Sequence, residues 1–102
     1  MLVMTKGTFP FQSSKQVGET FLKAMEKPLT RSNLIGTWLG YGGEGIEFWS
    51  IYELEKGHEE EGRMELVEAE VLFYDIEGYK VDIINVMSPE DALTLVGMSL
   101  PS

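Results

Sequence analysis

Residues 34–54 read Leu34-Ile35-Gly36-Thr37-Trp38-Leu39-Gly40-Tyr41-Gly42-Gly43-Glu44-Gly45-Ile46-Glu47-Phe48-Trp49-Ser50-Ile51-Tyr52-Glu53-Leu54. Two runs rich in β-branched and aromatic residues flank a glycine-rich tetrapeptide. Such side chains suit a pleated surface, and glycines supply the positive φ that a tight hairpin turn demands. The stretch therefore predicts an antiparallel hairpin, with strands over 34–41 and 46–54 and its turn at Gly42–Gly45.

On the N-terminal side, Leu2 to Phe9 reads as a strand that ends where Pro10 removes a backbone donor. A helix follows, capped by Ser13 or Ser14, with Val17, Phe21, Leu22 and Met25 at helical spacing and Pro28 as its end. On the C-terminal side, Met64, Val67, Val71 and Tyr74 recur at steps of three and four, which predicts a helix over 59–76 that stops at Gly78. Leu66, Leu72, Phe73 and Ile76 widen its apolar stripe. Tyr79 to Met87 reads as a last strand. Ser88-Pro89-Glu90-Asp91 then supplies an N-cap, a first-turn proline and acids that oppose a helix dipole, so a short helix is expected to about Val96, closed by Gly97.

The order β-α-β-β-α-β is that of an α+β, ferredoxin-like fold: a four-stranded antiparallel sheet with both long helices on one face and a short C-terminal helix added. At 102 residues the chain is expected to form one domain over 1–102. Its hydrophobic fraction of 43% and charged fraction of 25% are those of a globular protein, not of a disordered or membrane-spanning one. The net charge of −9 opposes nucleic acids and anionic membrane surfaces, so neither is expected as a partner. With no cysteine there is no disulfide, thiolate nucleophile or cysteine-bound metal. No signal-peptide pattern opens the chain and no apolar run approaches the roughly 18 residues of a membrane span, so a cytoplasmic location is expected.

A sheet packed on one side and wet on the other should alternate apolar with polar residues. The hairpin does not. One face of its second strand carries Ile46, Phe48, Ser50 and Tyr52, the other Glu47, Trp49, Ile51 and Glu53; the first strand sets Trp38 opposite Ile35, Leu39 and Tyr41. Either one set lies at the margin of the core, or two sheets pack face to face in a closed two-fold dimer. The expected partner is a second copy of the chain, joined through the sheet faces.

The opening Met1-Leu2-Val3-Met4, the strand Ile35-Gly36-Thr37-Trp38 and the run Tyr74-Asp75-Ile76-Glu77-Gly78-Tyr79-Lys80-Val81 followed by Ser88-Pro89-Glu90-Asp91-Ala92 resemble small uncharacterised domains of the dimeric α/β-barrel superfamily. The resemblance spans most of the chain and implies two ferredoxin-like subunits whose sheets form one barrel. That superfamily includes cofactor-free and haem-degrading monooxygenases, muconolactone isomerases and chlorite dismutases, so the fold leaves the reaction open. Haem-degrading members commonly use a histidine from the second helix region and an asparagine from the sheet. This chain departs from that pattern: its histidine precedes the second helix and its first strand has no asparagine.

His58 is the sole histidine and could serve as a general base, but it sits among Glu55, Glu59, Glu60 and Glu61, where a solvated imidazole with nearby acids is the better explanation. The acidic run has a simple reading as a helix start, and it lacks the spacing of a calcium loop. Trp38, Tyr41, Phe48, Trp49 and Tyr52 concentrate on the hairpin and suit an apolar pocket with polar tips, or plain packing. Asn85 and Asp82 interrupt an apolar strand and point to opposite faces; an inward Asn85 needs partners, while an edge Asp82 discourages further strand pairing. Trp38, Trp49, Tyr52, Asn85 and His58 are therefore the candidate ligand-binding residues. No nucleophile–base pair, phosphate-binding glycine motif or metal-ligand spacing is present, so no cofactor or metal is implied and no catalytic residue is assigned. The expected functions are binding of a small, partly apolar or aromatic ligand, cofactor-independent monooxygenase or isomerase chemistry, or a structural dimer.

Overall fold

A computed structural model describes residues 1–101. The elements are β1 (Leu2–Phe9), a 3₁₀ turn (Phe11–Ser13), α1 (Ser14–Ala24), β2 (Ser32–Gly42), β3 (Gly45–Leu54), α2 (Glu59–Val71), β4 (Lys80–Val86) and α3 (Pro89–Leu95). The strands form one antiparallel sheet in the order β2-β3-β1-β4, an α+β arrangement compatible with a ferredoxin-like fold. β2 and β3 make the expected hairpin, with Gly42 opposite Gly45 and only Gly43 and Glu44 between them.

Residue parity decides what each face carries. Val3, Thr5, Gly7 and Phe9 of β1 are buried while their neighbours are more open, so odd positions of β1 face the helices. The register extends this across the sheet: Thr37, Ser50, Thr5 and Ile83 form one level on the helix side, and Leu39, Phe48, Gly7 and Val81 the next. Two apolar clusters build the core there. Val3, Leu54 and Leu66 pack with Leu29, Tyr52 and Ile83; Phe9, Ile46 and Phe48 pack with Val17, Tyr79 and Val81. Both helices thus lie on one face.

Three local expectations are corrected. Ser13 does not cap α1; its hydroxyl donates to the Glu77 carbonyl at 2.9 Å and ties the start of α1 to the turn before β4. Ser14 likewise donates to the Phe11 carbonyl, at 2.7 Å. The second helix stops at Val71 instead of 76, and residues 72–76 continue as turns that still bury Phe73 and Ile76. Their apolar spacing extends the helical pattern beyond the helix because a turn can present the same face. By contrast Ser88 caps α3 as expected, accepting from the Asp91 amide at 3.1 Å, and Gly97 has the positive φ of 74° that ends it.

The middle of α2 is clamped to the chain entering β2. Glu65 accepts from the Thr30 amide (2.8 Å) and hydroxyl (2.6 Å), the Arg31 amide (2.7 Å) and the Ser32 hydroxyl (3.1 Å). Partial desolvation pushes this carboxyl up, but the hydrogen bonds from Thr30, Arg31 and Ser32 together outweigh it and hold Glu65 down at about 2. Gly62, which the sequence places near the helix start, stands against the Arg31 carbonyl and Leu54, where a side chain would separate helix from sheet.

The molecule is thin and long, with extents of 48 × 33 × 17 Å. Its radius of gyration is 15.6 Å, against about 13 Å for a compact chain of this length. Among the described residues eight apolar side chains are buried while twenty large ones are exposed, so much apolar surface is left uncovered within the chain. Among the described residues no helix is long and apolar enough to cross a membrane.

Candidate functional site

The open face of the sheet carries the two tryptophans. Trp38 and Trp49 are cross-strand partners, level with Lys6 and Asp82 on β1 and β4. The indole of Trp38 folds back over Gly36, 2.7 Å from where a Cβ would stand, and that of Trp49 lies over Gly40 at 3.4 Å. Each ring covers backbone that the glycine of β2 leaves bare. The next level, Gly36, Ile51, Met4 and Ile84, has no polar side chain at all. Trp38 is 56% exposed and Ile84 40%.

The helix side carries a different chemistry. Thr5 and Ser50, cross-strand partners in the middle of the sheet, are 2% and 6% exposed, and the Ser50 and Thr37 hydroxyls lie 2.8 Å apart. Tyr52 stands one pair further along β3, opposite Val3. From the other side, α2 contributes Glu70, whose Oε2 accepts from the Tyr79 hydroxyl at 2.7 Å. The Tyr79 ring stacks within 5.0 Å of Phe73, 5.6 Å of Phe48 and 6.3 Å of Phe9, measured between centroids. A seam of hydroxyls and one carboxyl therefore runs beside an aromatic wall, and at β2 it reaches the surface through exposed Thr37 and Leu39.

The electrostatics of the seam follow from burial. Desolvation pushes the Glu70 carboxyl above the usual carboxylate range, and the Tyr79 hydrogen bond recovers part of the shift. Burial, then the charge of Glu70, pushes Tyr79 upward. Tyr52 rises for the same two reasons, with Ser50 and Thr5 hydroxyls opposing. The arrangement holds both phenols protonated as donors and gives the carboxyl a raised proton affinity, which is what a hydrogen-bonding subsite or a general acid–base needs.

A pH test follows. Glu70 binds its proton more tightly folded than unfolded, so its contribution to stability is greatest at low pH and falls as pH rises from the ordinary carboxylate range through the raised value. Glu70→Gln keeps an acceptor for Tyr79 and removes that fall. The variant is expected to melt above the parent at pH 7 and to converge with it as the pH falls below the ordinary carboxylate range. Parallel melting curves across that range would contradict the burial of a charged Glu70.

The five residues singled out by sequence do not gather in one place. Trp38 and Trp49 lie on the open face, Tyr52 and Asn85 on the helix side, and His58 in the turn before α2. Asn85 is level with Val3 and Tyr52, and its Oδ1 accepts from Arg63 Nη1 at 2.6 Å. His58 Nδ1 lies 3.0 Å from Glu61 Oε1, and Glu61 also reaches Arg31 at 3.4 Å, so the acidic run is engaged in its own local pairs. Surface recesses of about 420 and 210 Å³ lie elsewhere, the larger one beside the β2–β3 turn and Pro10.

Sequence reasoning missed Thr5, Ser50, Glu70 and Tyr79. The signals exist: Thr5 and Ser50 are polar at strand positions whose parity points to the core, and Glu70 falls between Leu66 and Phe73 at the i, i+4, i+7 spacing of a buried helix stripe. Comparison with protein-family descriptions, curated proteins and solved structures finds no match to the chain.

Proposed function

We propose that this chain is one subunit of a homodimeric α/β barrel that binds a small, partly apolar molecule along the helix-side seam. The dimer rests on area. The subunit exposes 7456 Å², whereas a folded monomer of 11.5 kDa exposes about 5,800 Å², an excess of roughly 1,600 Å². A standard interface needs only about 800 Å² from each partner. Packing the open faces together through Trp38, Trp49, Ile51, Met4 and Ile84 buries surface that the helices never reach.

The binding function rests on one observation: a polar seam, Thr37, Ser50, Thr5, Tyr52, Glu70 and Tyr79, set into a largely apolar face and open at β2. Purely structural packing gains nothing from hydroxyls at the centre of a sheet, where apolar groups of equal size fit. Apolar walls with a few converging donors are the make-up of a small-molecule site. The chemistry fits an aromatic compound with one hydroxyl or carbonyl, its ring against Phe48 and Phe73 and its oxygen on the seam.

The test is a melting-temperature screen against simple phenols, quinols and aromatic ketones, with the mass in solution followed by light scattering. A dimer whose Tm rises with one of these classes, and for which Tyr52→Phe weakens binding about tenfold, supports the reading. The reading fails if no class raises Tm, or if Tyr52→Phe responds as the parent does. The raised proton affinity of Glu70 favours a second reading, in which the same site moves a proton on a bound quinol or enol. Turnover abolished by Glu70→Gln with binding retained would distinguish it.

A further inference from the structure

We propose that the ligand of the seam carries an unbranched alkyl tail, held in a groove that α1 forms with edge strand β2. The inference rests on the small-molecule reading above, needs no second copy of the chain, and names the part of the ligand that the seam itself does not reach.

The groove follows from topology. α1 joins β1 to β2 and so crosses β3, while α2 joins β3 to β4 and so crosses β1. Neither passes over β2, the outermost strand. Its helix-side residues Leu34, Thr37 and Leu39 are therefore exposed, although their cross-strand partners Tyr52, Ser50 and Phe48 are buried or half-buried.

α1 supplies a wall of the same character. Val17 packs against the core, while Gly18, Phe21, Leu22 and Met25 recur at steps of three and four in a stripe beside it. Lys27 marks the opposite flank by pairing with Glu68 of α2 at 3.5 Å, so the stripe faces β2. Leu22 is 67% exposed and Leu39 59%, and nothing stands within 4 Å of the place a Gly18 Cβ would take. The stacked rings of Phe11 and Tyr41, 6.2 Å apart between centroids, bound the groove at its turn end.

Size and charge select the occupant. Leu34 to Leu39 covers about 15 Å of strand, longer than the single ring placed on the seam. The floor is one strand wide, about 5 Å, whereas a partner helix is about 10 Å across and would overhang the sheet edge. A polymethylene chain fits that width. No charged residue occurs from Ser32 to Gly43 or in the α1 stripe, in a chain whose net charge is −9, so the groove offers nothing to an ionic group. Between Leu34 and Leu39 the one polar side chain on the helix side is Thr37, and its hydroxyl lies 2.8 Å from that of Ser50, where the seam opens. Seam and groove are thus continuous. The ligand class is an alkyl-substituted phenol or aromatic ketone, with its oxygen on the hydroxyls and its tail along β2.

The probes are phenol and its 4-ethyl, 4-butyl and 4-hexyl derivatives, titrated calorimetrically into the parent and into the double variant Leu22→Asn/Leu39→Asn. Both replaced side chains are exposed, and circular dichroism checks that the variant stays folded. In the parent each added methylene is expected to tighten binding about two- to fourfold. The variant is expected to bind phenol as the parent does and to lose that gain. Leu22→Asn alone serves if the paired change impairs folding, and should reduce the gain per methylene. Phenol binding with no gain along the series, an equal gain in the variant, or loss of phenol itself in the variant overturns the tail groove and leaves the seam standing. If no member of the series binds the parent, the seam falls and the groove with it.

Discussion

Ile51→Asp is expected to convert the proposed dimer to a monomer without unfolding the chain. Ile51 lies on β3 at the centre of the open face, level with Met4 and Ile84 and beside Trp49, and its side chain points away from the helix-side core. In the isolated chain Ile51 is only half-buried, so an aspartate there keeps contact with water. In a face-to-face dimer the same carboxylate is enclosed by apolar side chains with no cation level with it, and the two-fold places a second one nearby. Burying an unpaired charge costs about 3–5 kcal/mol, and symmetry counts it twice, so the dissociation constant should rise by at least about 10⁴-fold. Light scattering at micromolar concentration should read the monomer mass with far-ultraviolet dichroism retained, while Ile51→Leu keeps the dimer. An Ile51→Asp protein that still weighs as a dimer would move the interface off this face.

How far the fold was legible depended on the range of the physics involved. The boundaries of β1 came out as read, Leu2–Phe9, because Pro10 ends the ladder whatever surrounds it. The Ser88 cap and the Gly97 stop are equally local. Ser13 was misread because a serine before a helix has two outlets for its hydroxyl, and the one used lies at Glu77, across the fold. The end of α2 was misread because apolar spacing reports a face, and turns can continue that face.

The site was less legible than the fold for a related reason. Parity separated the two faces of the hairpin, but it could not say which polar residues would find one another across the gap between sheet and helix. Tyr52 was chosen for its aromatic ring, while the groups it faces, Ser50, Thr5 and Glu70, drew no attention one at a time. Their meaning is collective: a hydroxyl on one strand is ordinary, but two cross-strand hydroxyls beneath a carboxyl and a phenol make up the proposed site. Trp38 and Trp49, prominent by composition, lie on the face that the dimer covers in the proposed assembly. Aromatic content drew attention to the hairpin and left the two roles proposed for it, assembly and binding, unseparated.

Gly7→Ala is expected to be the most damaging single-methyl change in the chain. Gly7 is in the middle of the central strand β1, level with Phe48, and the place a Cβ would occupy is taken by the Phe48 ring and the Lys80 carbonyl. Neither gives way cheaply. The carbonyl belongs to β4, which is paired to β1, and the ring is held at 6.1 Å from Phe9 and 5.6 Å from Tyr79, measured between centroids. Moving Phe48 disturbs the aromatic wall and the Tyr79 hydroxyl on Glu70 together. Overpacking of a filled core costs about 1–3 kcal/mol, and a backbone collision puts this change at or above the top of that range, a fall of roughly 12–24 °C in Tm. Gly18→Ala supplies the contrast. That position is in α1 with nothing within 4 Å of an added Cβ, so the same methyl should stabilise by about 0.5–1 kcal/mol through helix propensity. Opposite signs for one chemical change would show that the space above Gly7 is already filled by the wall of the proposed site. A Gly7→Ala protein melting within a few degrees of the parent would mean that Phe48 does not lie there.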